Sequence, residues 1–101
     1  MALKKQYLKT KPICRVTFSL PKEAVASARA VSLVGDFNDW NMTTTPMKRL
    51  KNGSFTATLE LSRHREYQFR YLVNGLQWEN DSSADKYVPN NYGSDNSVVV
   101  V

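Results

Sequence analysis

The chain has 101 residues, with 14 Lys and Arg against 9 Asp and Glu, a net charge of +5, one His and one Cys. A chain of this length makes one domain that buries a little over ~60% of its extended surface, which supports a single core but argues against a deep active-site cavity or a multi-layer enzyme. Cys14 has no second cysteine with which to form an intrachain disulfide or a thiolate metal site, which fits a reducing, cytoplasmic setting.

Residues 1–11 are polar and basic, with Lys4, Lys5, Lys9 and Lys11, and are expected to form a flexible arm. They hold no apolar run of the kind that a signal peptide or membrane span requires. The sequons at Asn41, Asn52 and Asn80 are accordingly read as chance. Residues 12–101 are expected to form one module.

From Ile13 to Leu20 the residues alternate, with Cys14, Val16, Phe18 and Leu20 on one side and Ile13, Arg15, Thr17 and Ser19 on the other, the period of a half-buried strand. Pro21 ends it, and Lys22 to Arg29 reads as a loop with a helical twist. A second alternating set, Val31, Leu33, Gly35 and Phe37, runs into the polar segment Asp36 to Asn41.

Met47 to Leu50 is a short strand, and Asn52-Gly53 between two apolar-bearing runs is a strong hairpin signal. Phe55, Ala57, Leu59 and Leu61 then alternate with polar residues over 54–61. After the turn at Ser62 to Arg65, Tyr67, Phe69, Tyr71 and Val73 face one way and Gln68, Arg70, Leu72 and Asn74 the other. Asn74-Gly75 closes a further hairpin that returns through Gln77-Trp78-Glu79, a polar loop spans Asn80 to Gly93, and Ser94 to Val101 is a valine-rich final strand. Seven or eight antiparallel strands at such spacings predict an all-β sandwich.

Little in this inventory fits catalysis. Glycoside hydrolysis needs two carboxylates across a cleft, whereas Asp36, Asp39, Glu79, Asp81, Asp85 and Asp95 fall in turns or strand ends and read as turn formers and solvated charges. His64 sits between Arg63 and Arg65 in a turn with no nucleophile motif nearby. The lysines and arginines read as solubilising charge, since a helix-turn-helix, zinc-finger, RNP or phosphate-loop pattern is missing.

Aromatic placement is more informative. Trp40 and Trp78 lie in or beside polar segments, out of phase with the core strands, and Tyr92 sits likewise in Asn90-Asn91-Tyr92-Gly93. Residue chemistry alone fits both a plug at the sandwich end and an exposed binding platform. Indole faces beside Asn, Gln and Arg suit a sugar, whose C–H faces stack and whose hydroxyls hydrogen-bond; single-stranded nucleic acid also stacks on aromatics.

Val31 to Trp40 (VSLVGDFNDW), Tyr67 to Gly75 with Trp78, and Tyr92-Gly93-Ser94-Asp95-Asn96 together resemble the glycogen-binding module of the AMP-activated protein kinase beta subunit. The same blocks are similar to the N-terminal early set domains of isoamylases and glycogen branching enzymes, and the resemblance runs from residue 13 to 101. It implies an immunoglobulin-like β-sandwich that binds α-1,4-linked glucan, polymer or oligosaccharide, without catalysis or cofactor. Trp40 and Trp78 would stack on glucose rings, Arg70 would be the basic ligand, Tyr92 the projecting finger, and Ser94 and Asn96 the hydroxyl and amide ligands. The alternative reading is a protein-docking or regulatory domain associated with a glycogen-metabolising enzyme or kinase, with the sugar site silent; neither nucleic acid nor membrane is expected. Two departures stand out: Tyr92 replaces a common aliphatic residue, and Leu76 is an extra residue before the tryptophan, an insertion able to shift Trp78 relative to Trp40.

Overall fold

A computed structural model describes residues 2–25 and 27–101. Among the described residues, nine strands form two antiparallel sheets: β1 (Ala2–Tyr7), β2 (Ile13–Leu20), β3 (Val31–Gly35), β4 (Lys48–Arg49), β5 (Phe55–Ser62), β6 (Glu66–Val73), β7 (Gln77–Glu79), β8 (Lys86–Pro89) and β9 (Asp95–Val100). One sheet has the order β1-β2-β5-β4, the other β3-β6-β9-β8, with β7 pairing the far end of β6. The two sheets give the β-sandwich expected from the alternation, of the immunoglobulin-like kind that the resemblance implies.

The core forms where the period-two patterns face one another. Cys14, Val16, Phe18 and Leu20 of β2 are sealed against Tyr67, Phe69 and Tyr71 of β6 and Val99 of β9. Phe18 meets the Phe69 ring edge-on at 5.0 Å, and Phe37 closes the cluster 5.6 Å from Phe18. Each such ring contributes about 1.5–3 kcal/mol through burial.

Three elements differ from the sequence reading. Residues 2–7 are not a free arm but an edge strand, in register with β2 from Ala2↔Ser19 to Tyr7↔Cys14. Cross-strand partners share a face, so Leu3, Lys5 and Tyr7 point with Phe18, Val16 and Cys14. Leu3 packs on the core, while Lys5 reaches Asp85 at 2.7 Å. The inward lysine hid the alternation, and lysines along an edge also discourage strand addition by another chain.

Lys86–Pro89 forms a strand within the expected loop, held by β9 through the Lys86↔Val98 to Pro89↔Asp95 register. The segment after Pro21 makes a 3-10 turn at Lys22–Ala24; Ala26, within the expected helical twist, and Met1 lie outside the described residues.

Asp81 is the third correction. Read as a solvated turn former, it is 0% exposed. Its Oδ2 accepts from the Tyr71 hydroxyl at 2.7 Å and its Oδ1 from Ser83 N–H at 2.8 Å. Its own N–H donates to Ser97 Oγ, and its carbonyl accepts from the Tyr87 hydroxyl. A buried carboxylate persists only when its acceptors are filled; here one donor comes from the neighbouring turn and the other, Tyr71, from β6.

Candidate functional site

A cleft of ≈ 690 Å³ opens on the outer face of the second sheet. The segment after β3 lends Trp40 and Met42, β6 lends Gln68 and Arg70, and β7 lends Trp78. Pro89 at the end of β8, Asn90 to Tyr92 between β8 and β9, and Asn96 of β9 complete its walls. Five of the six residues expected to form a site, Trp40, Arg70, Trp78, Tyr92 and Asn96, therefore line one surface; Ser94 does not.

The same sheet face carries a second apolar layer outside the main core. Val34, Leu72 and Val98 occupy outward positions on β3, β6 and β9, yet are buried. Leu72 lies directly across from Trp78, and Val34 from Arg70, so two of the cleft's large side chains stand beside this layer.

Trp40 is placed by the local chemistry of Gly35-Asp36-Phe37-Asn38-Asp39. At Gly35 a Cβ would stand 2.5 Å from the Gln68 carbonyl oxygen and 2.8 Å from Phe69 Cβ, so only glycine allows β3 to approach β6 this closely. Phe37 turns into the core. Asn38 ties the turn together, its Nδ2 donating to Leu33 O at 2.9 Å and Thr45 Oγ1 at 3.0 Å while its Oδ1 accepts from Gly35 N–H. Asp39 and Trp40 both take left-handed backbone, with φ of 55° and 57°, which reverses the chain. The Trp40 indole N–H then donates to Asp36 Oδ1 at 2.9 Å.

Asp36 also begins a polar chain that sequence reasoning missed. Its Oδ2 accepts from the backbone N–H of Gln68 at 2.7 Å, and Gln68 Oε1 accepts from Asn96 Nδ2 at 3.0 Å. Asn96 Oδ1 accepts from Asn90 Nδ2 at 3.1 Å, and Asn90 Oδ1 takes the backbone N–H groups of Tyr92 and Ser94. Side chains from four separate segments thus couple the Trp40 turn to the Tyr92 turn. Asn96 is 8% exposed and belongs to this chain as well as to the cleft wall. Ser94 closes the turn with its backbone, its carbonyl accepting from Asn90 N–H at 2.9 Å, which explains its place behind the wall.

Trp78 and Tyr92 are displayed differently. Trp78 is 38% exposed on β7, with the Arg70 guanidinium 5.9 Å from its ring, in reach of a cation–π contact. Tyr92 is 91% exposed at the tip of its turn, where Gly93 takes φ of 76°. The extra Leu76 leaves both tryptophans on the same cleft. Asn74 and Gly75 take φ of 54° and 71°, the three-residue turn is closed by Leu76 N–H to Val73 O at 3.0 Å, and Leu72↔Trp78 pairing is kept. The insertion is absorbed in the turn, with Leu76 87% exposed outside the cleft.

Arg70 is the one charged residue among the described residues lining the cleft, and its buried Nε has no hydrogen-bond partner among them. Ring faces, amides and one cation make a surface equipped to hold a neutral polyhydroxylated ligand. Behind the sheet, burial first, then the charge of Asp81 and the hydrogen bond to it, push the Tyr71 phenol far above its usual range, so it remains protonated and donating.

The model of the carbohydrate-binding module 48 (isoamylase N-terminal domain) family matches residues 24–92, more than half of the chain. The matched span includes Trp40, Arg70, Trp78 and Tyr92 and stops short of Ser94 and Asn96. No curated protein matches the chain. With both sheets in place and the matched span carrying the cleft's aromatic residues, the chain belongs to the carbohydrate-binding module 48 family, the type found at the N-terminus of isoamylases.

Proposed function

We propose that the cleft binds α-1,4-linked glucan, as glycogen, a starch-like polymer or a maltooligosaccharide, without chemical change. Family membership supports carbohydrate binding in general. The observation that carries the α-glucan reading is the convergence of Trp40 and Trp78, from non-adjacent segments, on one open cleft walled by Arg70, Gln68 and Asn96. In this reading the indole faces stack on successive sugar rings, the Arg70 guanidinium and the amides take hydroxyls, and Tyr92 projects against the chain. Asn96 supplies both a wall and a link; Ser94 acts through the turn that it closes. Affinity is modest, because an open cleft leaves much of each sugar in water.

Electrophoresis through native gels containing glycogen tests this reading. The chain is retarded relative to a glycogen-free gel, and Trp40→Ala and Trp78→Ala each restore most of its mobility. Equal mobility in both gels for the unaltered chain contradicts it. Retardation unaffected by both substitutions places glucan elsewhere and contradicts it too.

A further inference from the structure

The positive charge is concentrated at one end of the sandwich, away from the cleft. The loop between β1 and β2, the turn between β5 and β6, and Val101 meet there. Arg63 N–H donates to Pro12 O at 3.0 Å, His64 N–H to Val101 O at 2.8 Å, and Val101 N–H to Arg65 O at 3.0 Å. These segments carry Lys9, Lys11, Arg63 and Arg65, with His64 between the arginines, and no Asp or Glu. Elsewhere the remaining ten Lys and Arg (14 − 4) meet nine Asp and Glu, so this end holds four of the five net charges.

The two guanidinium groups are positioned in advance. Arg63 stacks on the Tyr7 ring, 4.6 Å from its centroid, and Arg65 lies 5.3 Å from that of Tyr67. Among the described residues, the ion pairs are Lys5–Asp85, Arg15–Glu60 and Lys86–Glu66, and none of them uses the four cations of this end. Glu66, the acid nearest in sequence, is taken by Lys86 at 2.7 Å. Arg63 Nε is buried with no hydrogen-bond partner among the described residues. Stacking has already removed part of the side-chain freedom that an arginine loses on binding an anion, and the planar fork matches a carboxylate with two parallel hydrogen bonds.

We propose that this end docks an acidic segment of a partner protein, a short run of Asp and Glu, independently of the cleft. Asn96, near the start of β9, and Val101, just past its end, are roughly 17 Å apart at about 3.3 Å per residue, so both surfaces can be occupied together. A protein segment fits better than a nucleic acid. Arg63 already covers one face of Tyr7 and Tyr67 is buried, so the rings here leave less room for stacked bases than the open cations leave for carboxylates.

Fluorescence anisotropy of a fluorescein-labelled deca-glutamate peptide with the full chain at low salt tests the proposal. Saturable binding is expected, falling roughly tenfold in Arg63→Gln/Arg65→Gln. Lys48→Gln/Lys51→Gln, which removes the same charge elsewhere, stays within about twofold of the unaltered chain. Should the arginine variant fail to fold, Lys9→Gln/Lys11→Gln on the exposed loop carries the contrast, with a loss of about threefold. Saturating maltoheptaose leaves peptide affinity unchanged. No saturable binding, equal loss in the control variant, displacement by maltoheptaose, or tighter binding of a deoxythymidine decamer overturns the proposal.

Discussion

Asp36 and Asp81 are two aspartates just past strand ends that do opposite work. Asp36 is exposed and spends its two oxygens on the Trp40 indole and the Gln68 backbone, fixing the cleft from its rim. Asp81 is sealed behind the sheet, where it links buried Tyr71 and Ser97 with Ser83 and Tyr87 nearer the surface. One network holds the cleft in shape, and the other holds the strands that carry it. If the cleft is the glucan site proposed above, substitutions in the two networks are expected to separate binding from stability.

The sharpest break is Asp81→Ala. It strands the Tyr71 hydroxyl in the interior, releases the Ser83 N–H, and is expected to cost about 3 kcal/mol. Thermal unfolding would show this as a fall in Tm of roughly 12–24 °C. At temperatures where the variant is still folded, its maltoheptaose affinity is unchanged. A loss of affinity there would merge the two networks.

Next in size is Trp78→Ala, expected to weaken maltoheptaose binding about tenfold while costing about 1 kcal/mol of stability, since the indole is partly exposed and also flanks buried Leu72. Calorimetric titration and thermal melts read the two effects separately. Asp36→Asn keeps one acceptor oxygen and loses the other, and is expected to weaken binding about fivefold, equivalent to about 1 kcal/mol. A variant whose Tm falls as far as that of Asp81→Ala would erase the contrast.

The smallest effect concerns pH. Tyr71 is raised by burial, then by the charge of Asp81 and the hydrogen bond to it, whereas the unfolded phenol ionises near pH 10. Its contribution is therefore complete below about pH 10 and declines as pH rises further, because the unfolded state releases a proton that the folded state keeps. At pH 10.5 the decline amounts to about 0.8 kcal/mol. Tyr71→Phe is expected to remove this one-proton dependence from chemical-denaturation curves collected between pH 9 and 10.5.

Much of the fold was legible because period-two alternation reports burial on one face. It read β2, β5 and β6 nearly residue for residue and put Arg70 outward. It failed at β1, where inward Lys5 finds Asp85 across the sandwich, a partner 80 residues away that no local pattern announces. It failed also at β8, whose pairing with β9 is long-range. The out-of-phase aromatics pointed to the cleft, but the links joining its turns did not stand out: Gln68, Asn90 and Asn96 are ordinary polar residues until folding aligns them. Asp81 and Asp36 were likewise indistinguishable as turn aspartates. Gly35 and Asn38 were visible within the motif, although the reasons for them lie in the close approach of Gln68 and in Thr45.

Tryptophan fluorescence during titration with maltoheptaose tests glucan binding most directly. Both indoles of the chain line the cleft, so every tryptophan photon reports from it. The expected result is a saturable change in emission that is nearly unaltered by raising the salt concentration, as fits a neutral ligand. Emission that stays constant through millimolar maltoheptaose, together with no retention by glycogen, would contradict it.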